Sequence, residues 1–533
     1  GRRYPMDSFD HLIVGAGSAG CVLANRLSAD PARRVLLLEA GPRDTNPWIH
    51  IPLGYGKLFA DSRVNWAYES EPEPNLGGRR VFTPRGKVLG GSSSINGLVY
   101  VRGQREDFDG WGVPGWSFDD LLPCFIRAED QSRGAIPWHG TGGPLAVSDL
   151  PDRHELCEAF IASAQAHGIP RNDDFNGATQ EGAGYYQATM RRGLRVSTAV
   201  GYLRPAQRRP NLRVEVEALV TRVLFDGGRA VGVEYRQGGQ TRTARASEVI
   251  LAGGAFNSPQ LLQLSGIGPG ERLRELGLPV VVDAPEVGEG LQDHFYVRTY
   301  WRCNRPITIN DRMATWHGKL GMGLQWLFGR RGPLTVSAGY AAAFARTRPE
   351  RTRPDAQFYF INFSIARRGG VLDDFPGFTC SMSQLQAQSR GWVRLRSPDP
   401  TQAPAIRYNY LDTEDDRRTM VDGLKLLRRI VRTQPFADYV EAERAPGPDV
   451  QTDAQWLQFC RDTGETVYHP TSTCRMGTDP RSVVDERLRV RGVAGLRVVD
   501  ASVMPAVVSG NTNAAVIAIA EKASDLILAD ARG

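Results

Sequence analysis

Gly15, Gly17 and Gly20 stand at G-x-G-x-x-G spacing, and Glu39 follows them. A chain that must turn tightly, approach a diphosphate and close a helix onto a strand needs glycine at those three places. An acid roughly twenty residues on is placed to bind a ribose hydroxyl. Far downstream, His469 lies between Tyr468 and Pro470 and ahead of Thr471, Ser472 and Thr473. An imidazole with an ordinary pKa of ~6.5 can accept a proton near neutrality. A polar, turn-like stretch suits a histidine at the edge of a site better than one in a core, but the residues alone leave its role open. His294, in Gln292-Asp293-His294, and the other histidines show no partner spacing and are read as structural. Asn511 offers either an amide donor or a helix cap.

These residues need elements to hold them. Residues 11–14 read as a buried strand, 21–27 as a helix and 35–38 as a second strand that ends at Glu39. That strand–turn–helix–strand unit points its helix N-terminus, with free N–H groups and partial positive charge, at a bound diphosphate. Gly90 and Gly91, followed by Ser92, Ser93 and Ser94, make either a second donor-rich wall or a helix cap. Alternating apolar residues over 213–223 and 230–235, with Asp226-Gly227-Gly228 between, predict a hairpin. Residues 249–252 predict a buried strand. Ser258-Pro259 opens a helix to Leu264, with Pro in its first turn. From about residue 300 to 458 the glycine-rich signals vanish. Strand-like runs over 356–363, 378–384 and 392–395 and a helix over 415–432 predict a second lobe. Residues 496–500 return to a strand ending in an acid, and 511–513 open a last helix over 514–528. The expected fold is α/β: a Rossmann-like dinucleotide domain (6–150, 196–298 and 467–533) with an inserted α+β substrate domain on an antiparallel sheet (151–195 and 299–466).

The 533 residues suffice for two or more domains. A net charge of +6, spread without a basic block, argues against a nucleic-acid partner. No apolar run approaches the ~18 residues of a membrane span, so no integral membrane segment is expected. Seven scattered cysteines form no metal spacing. They suit a reducing compartment, and the early first strand leaves no room for a secretory signal, so the expected location is cytoplasmic and no metal is expected.

Five stretches together resemble the glucose-methanol-choline family of FAD oxidoreductases: Gly15 to Gly20 with Glu39, residues 84–96, 254–269, 469–477 and 499–513. The resemblance implies FAD. Carried over, Gly15, Gly17 and Gly20 bind the pyrophosphate and Glu39 the adenosine ribose. Gly90, Gly91 and Asn96 lie along the flavin, Val220 lies near the adenine, and Asp500 and Ala501 touch the pyrophosphate and ribityl chain. Ser18, Ala19, Ala40, Ser92, Gly97, Asn511 and Thr512 complete the implied cofactor set. Relatives that attach the flavin covalently do so through a histidine where this chain has Ile95, so the FAD is expected to be non-covalent.

In such a family His469 is the catalytic base and Asn511 its partner at the substrate oxygen. From the position of Thr512 and Asn513, the start of the last helix is expected to face the flavin pyrimidine and stabilise charge on the reduced ring. The expected reaction is oxidation of a primary alcohol, aromatic, furanic or aliphatic, to the aldehyde. Hydride passes to flavin N5, and O2 or a quinone-type acceptor takes the electrons. Tyr468, and Phe360 on the aromatic run 358–363, are the substrate-side candidates. Choline-specific relatives carry a glutamate where Phe375 aligns, which leaves choline oxidation as the alternative. A redox-silent hydroxynitrile lyase on the same fold is a second.

Overall fold

The computed structural model describes residues 8–367 and 371–533, so the expected boundary at Met6 lies outside the described residues. Within the strand Ser8–Val14, the run Leu12, Ile13 and Val14 is apolar and buried, as the part of a strand covered on both faces must be. The strand pairs in parallel with Val35–Leu38 on one side and Gln240–Leu251 on the other. Leu212–Glu215 extends the sheet beyond Val35–Leu38, and Leu496–Val498 joins the end of Gln240–Leu251, both in parallel. The helices Ser18–Ser28 and Asn513–Arg532 pack together over this sheet. Between them the buried Glu521 carboxylate accepts from Arg26 Nη2 at 2.8 Å, Arg127 Nε at 2.7 Å and the Tyr202 hydroxyl at 2.7 Å. A buried carboxylate is tolerated when all its lone pairs are engaged.

The predicted hairpin needs one correction. Its turn is where expected, between Leu219–Asp226 and Arg229–Gln237, but residues 213–223 are not one strand. The chain breaks near Glu217, which has a positive φ of 53°, and the earlier piece is the parallel edge strand Leu212–Glu215. The helix after Gln240–Leu251 also starts earlier than expected, as Gly254–Leu264, which puts Pro259 inside it. Proline there cannot bond the Ala255 carbonyl four residues back. Thr473 Oγ1 donates to that carbonyl at 2.7 Å instead.

The second sheet is antiparallel throughout. Its order is Val440–Ala445, Phe295–Cys303, Gly377–Gln384, Ala356–Ile361, Ala341–Ala345, Gly182–Tyr185, with Glu465–Thr466 added to Phe295–Cys303. Phe295–Cys303 belongs to it whole, so the expected boundary at 298 cuts a strand. Helix Glu414–Val431 covers one face, burying Met420, Leu424, Leu427 and Ile430. Phe360 points into that apolar layer against Phe160 and Phe436, each ring 5.8 Å away. It does not line the cleft, contrary to expectation: strand alternation sends Tyr359 and Ile361 there instead.

Candidate active site

A cleft of about 2780 Å³ is lined from both lobes. That is well above the roughly 300–1,000 Å³ of a pocket for one small molecule. One arm runs over the glycine turn. Gly15 has φ +101°, and a Cβ there would stand 2.7 Å from the Ala252 carbonyl oxygen. A Cβ on Gly91 would meet Gly17 Cα at 2.5 Å, so the two backbones touch. A Cβ on Gly17 would meet nothing nearer than 4.0 Å, because that face is bare toward the cleft. No side chain caps the helix Ser18–Ser28, nor the helix Asn513–Arg532, and both N-termini line the same cleft. Two uncapped helix starts over bare backbone fit a diphosphate-bearing dinucleotide with an anionic ring system.

Of the residues expected to hold the cofactor, Gly15, Gly17, Ser18, Ala19, Glu39, Ala40, Gly91, Ser92, Asn96, Gly97, Val220, Asp500, Ala501, Asn511 and Thr512 line the cleft. Gly20 and Gly90 lie behind it. A Cβ on Gly20 would fall 1.8 Å from the Gly15 carbonyl oxygen, and the Gly90 N–H donates to Ala16 at 2.7 Å, so both serve packing. Glu39 accepts from the N–H groups of Ala16 at 2.9 Å and Gly41 at 2.8 Å, and burial pushes its pKa up to about 7. Asp500 has both oxygens committed to protein. One accepts from Gly254 N–H at 3.0 Å and Ser258 Oγ at 2.6 Å, the other from Ser502. Its carboxylate therefore fastens the start of helix Gly254–Leu264 and leaves its backbone to face the cleft.

At the other arm His469 and Asn511 come together. His469 Nε2 is 3.3 Å from Asn511 Nδ2. Asn511 Oδ1 accepts from Gln357 Nε2 at 3.2 Å, which orients the amide with its NH2 toward the histidine. Asn511 caps nothing: the last helix begins at Asn513, after Thr512. The histidine belongs to a strained loop in which Tyr468 and Ser472 have φ of 73° and 79°. Several ties hold that loop. Asp293 accepts the His469 N–H at 2.9 Å and Thr466 Oγ1 at 2.5 Å, Thr466 Oγ1 accepts the Tyr468 N–H at 2.8 Å, and Arg85 Nη1 donates to the Tyr468 carbonyl at 3.2 Å.

His294 is the residue the sequence reading missed. Its Nε2 lies 3.1 Å from the Leu385 carbonyl, which can only accept, so Nε2 carries the proton. The Nδ1 of neutral His294 is then an acceptor, and it faces His469 Nδ1 at 2.8 Å. His469 must donate there, so its proton sits on Nδ1 and its Nε2 lone pair accepts from Asn511 Nδ2 at the cleft. Burial holds His294 down to about 4, against the Leu385 and Val508 carbonyls. Burial, then His294 and Arg85, hold His469 well below the ordinary histidine value. Both rings are neutral at physiological pH. The sequence carried no local signal for this: three polar residues, Gln292-Asp293-His294, directly precede the strand Phe295–Cys303, and only the fold buries them. A buried polar run there must be partnered.

The substrate side of the cleft carries Tyr296, Arg298, Tyr359, Ile361, Phe363 and Tyr468. Arg298 Nη1 donates to Glu465 at 2.9 Å, and Ser364 Oγ donates to Asp373 at 2.6 Å. Phe375 lies under the guanidinium groups of Arg302, at 4.8 Å, and Arg444, at 4.5 Å.

The GMC oxidoreductase family model matches this chain over residues 9–296 with its N-terminal part and 387–520 with its C-terminal part. An alcohol dehydrogenase (acceptor) of Pseudomonas putida is 45% identical over 529 residues, 98% of this chain and 96% of that protein. Human mitochondrial choline dehydrogenase is 45% identical over 534 residues, 98% of this chain and 90% of that one. Among solved structures, pyridoxine 4-oxidase from Mesorbium loti superposes with a TM-score of 0.87 at 31% identity, covering 97% of this chain and 98% of the other. A formate oxidase from Aspergillus oryzae RIB40, studied for modification of its FAD, gives 0.92 at 26% identity, covering 99% and 100%.

Proposed function

The chain belongs to the GMC oxidoreductase family, an FAD enzyme acting on alcohols, and from there we propose that it oxidises a neutral primary alcohol to the aldehyde with His469 as the base. The observation that carries the reading is the ordered pair His294–His469, which leaves the His469 Nε2 lone pair unprotonated and facing the Asn511 amide. Residues 15–19, Glu39 and residues 91–97 would hold FAD, which when bound would supply the acceptor for the carbinol hydride. His469 Nε2 takes the hydroxyl proton. Asn511 Nδ2 donates to the oxygen as negative charge gathers on it, and it does not compete for the proton. The uncapped start of Asn513–Arg532 offers N–H groups and a helix dipole to the flavin ring. In this reading the parallel-sheet lobe, with the boundary moved to about residue 294, carries the cofactor, and the antiparallel sheet carries the substrate.

Ile95, buried on the cleft wall, supports non-covalent attachment, because an alkyl side chain cannot bond the flavin. Acid precipitation should leave the yellow colour in solution. The Arg298 guanidinium, paired with Glu465 on the cleft wall, favours a neutral alcohol over the choline cation. The cysteines are all buried and unpaired, which supports a reducing, cytoplasmic setting. O2 or a quinone-type carrier is the final acceptor in this reading.

The test is anaerobic mixing with benzyl alcohol, hydroxymethylfurfural, hexanol and choline while the flavin absorbance is followed. Bleaching by a neutral alcohol is expected, and admitting air then tells oxidase from dehydrogenase. His469→Ala should retain FAD and lose about 10²–10⁴-fold in reduction rate. Bleaching by choline alone would move the assignment to choline oxidation. No bleaching by any of the four, with cyanohydrin cleavage present, would replace oxidation with the lyase.

A further inference from the structure

Helix Trp316–Gly329 presents an apolar stripe to solvent. Trp316, Leu320, Leu324, Leu327 and Phe328 recur at helical spacing and are exposed, Trp316 at 76% and Phe328 at 82%. The opposite side is the one fixed to the protein: Met322 is buried, and Trp326 Nε1 donates to the Gly193 carbonyl at 2.9 Å. Leu320, Leu324 and Leu327 also line the mouth of the cleft, so a bound substrate could cover part of them. Trp316 and Phe328 lie outside it, so no substrate covers them. Large apolar side chains gathered on one face, with none of the described residues over them, mark a docking surface.

The charges on this segment say what docks. Residues 312–349 contain no aspartate or glutamate, while Arg312 and Lys319 stand at the start of the helix and Arg330 and Arg331 at its end. Asp152, which reaches the segment, is occupied by the Gly332 N–H at 2.7 Å. A second copy of the chain would bring cations against cations whether the two helices ran parallel or antiparallel. An anionic lipid surface satisfies both features, taking aromatic and leucine side chains below its headgroups and arginine and lysine among them. The helix is not long and apolar enough to cross a bilayer, so it would lie in the plane of one.

We propose that Trp316–Gly329 docks the enzyme on anionic membrane surfaces, with the mouth of the cleft turned toward the lipid. The inference stands on the stripe and its charges and is independent of which alcohol is oxidised. In co-sedimentation, the flavin-loaded enzyme should pellet with vesicles containing phosphatidylglycerol, remain largely free with phosphatidylcholine alone, and be released by salt. The double variant Trp316→Ser/Phe328→Ser changes only side chains outside the cleft. It should keep its flavin and bleach normally with the alcohol found above, while binding anionic vesicles at least about tenfold more weakly. Lys319→Glu/Arg331→Glu should lose the preference for phosphatidylglycerol. The proposal is overturned if the wild-type enzyme stays in solution with phosphatidylglycerol vesicles, or if the Trp316→Ser/Phe328→Ser variant binds as the wild type does. A wild-type dimer that becomes monomeric in that variant also overturns it, by giving the face to a second copy.

Discussion

At the scale of single residues, the active site is a question of where one proton rests. Leu385 fixes the proton of His294, His294 fixes that of His469, and the lone pair is left on Nε2. His294→Leu keeps the bulk and removes the acceptor. The expectation is a loss of about 10²-fold or more in kcat, with FAD content retained and KM changed far less, as when a histidine is left in the wrong tautomer. The pH profile carries a second expectation. A base works when deprotonated, so activity falls as pH drops through its pKa. Because burial holds His469 well below the usual histidine range, kcat/KM should stay level through pH ~6.5 and decline only in more acid solution. An ordinary inflection near ~6.5 would count against His469 as the buried base. His469 itself was legible from its polar setting and family motif. His294 was not, because its partner lies 175 positions away and only folding brings the two rings together.

At the scale of elements, the glycine turn was legible because backbone demands leave a local mark. Its glycines nevertheless do different work. Gly17→Ala places a methyl in open cleft, so the protein should fold and lose FAD affinity, read as a colourless but soluble preparation. Gly20→Ala would put its methyl 1.8 Å from the Gly15 carbonyl oxygen, and should instead yield little soluble protein. The errors at this scale have physical causes too. Pro259 marks a helix start in isolation, yet here Thr473 satisfies the carbonyl that the proline abandons. Phe360 and Tyr359 are both aromatic, and alternation says that they face opposite ways without saying which face is the pocket. The answer depends on helix Glu414–Val431, packed from elsewhere in the chain.

At the scale of the whole molecule, two lobes meet along a loop that belongs to both. Glu465 and Thr466, at its start, pair with Tyr296 and Phe295 of the antiparallel sheet, and residues 472–476 bond Ala255, Ala501, Ser502 and Val503 on the side of the parallel one. Thr473→Val should show the coupling. It leaves the buried Ala255 carbonyl without its donor, at a cost of about 1–3 kcal/mol. The thermal transition should fall and the FAD should dissociate more readily, though Thr473 lies off the cleft wall. The discontinuous plan was legible because the strand-and-acid pattern returns near residue 496. The placement of strand Phe295–Cys303 was not, because an alternating strand does not name the sheet it joins.

The strand Leu496–Val498 and the helix Asn513–Arg532 also fix an order of events during synthesis. A ribosome working through residue 495 has made the sheet around Ser8–Val14 but not the strand that finishes its edge. The helix Ser18–Ser28 waits with part of its apolar side uncovered until Asn513–Arg532 arrives. For most of its manufacture the nascent chain therefore offers an open sheet edge and a bare helix, both invitations to mispairing. Such a chain is a natural client for chaperones, and the flavin site is complete only once Asn513–Arg532 is in place.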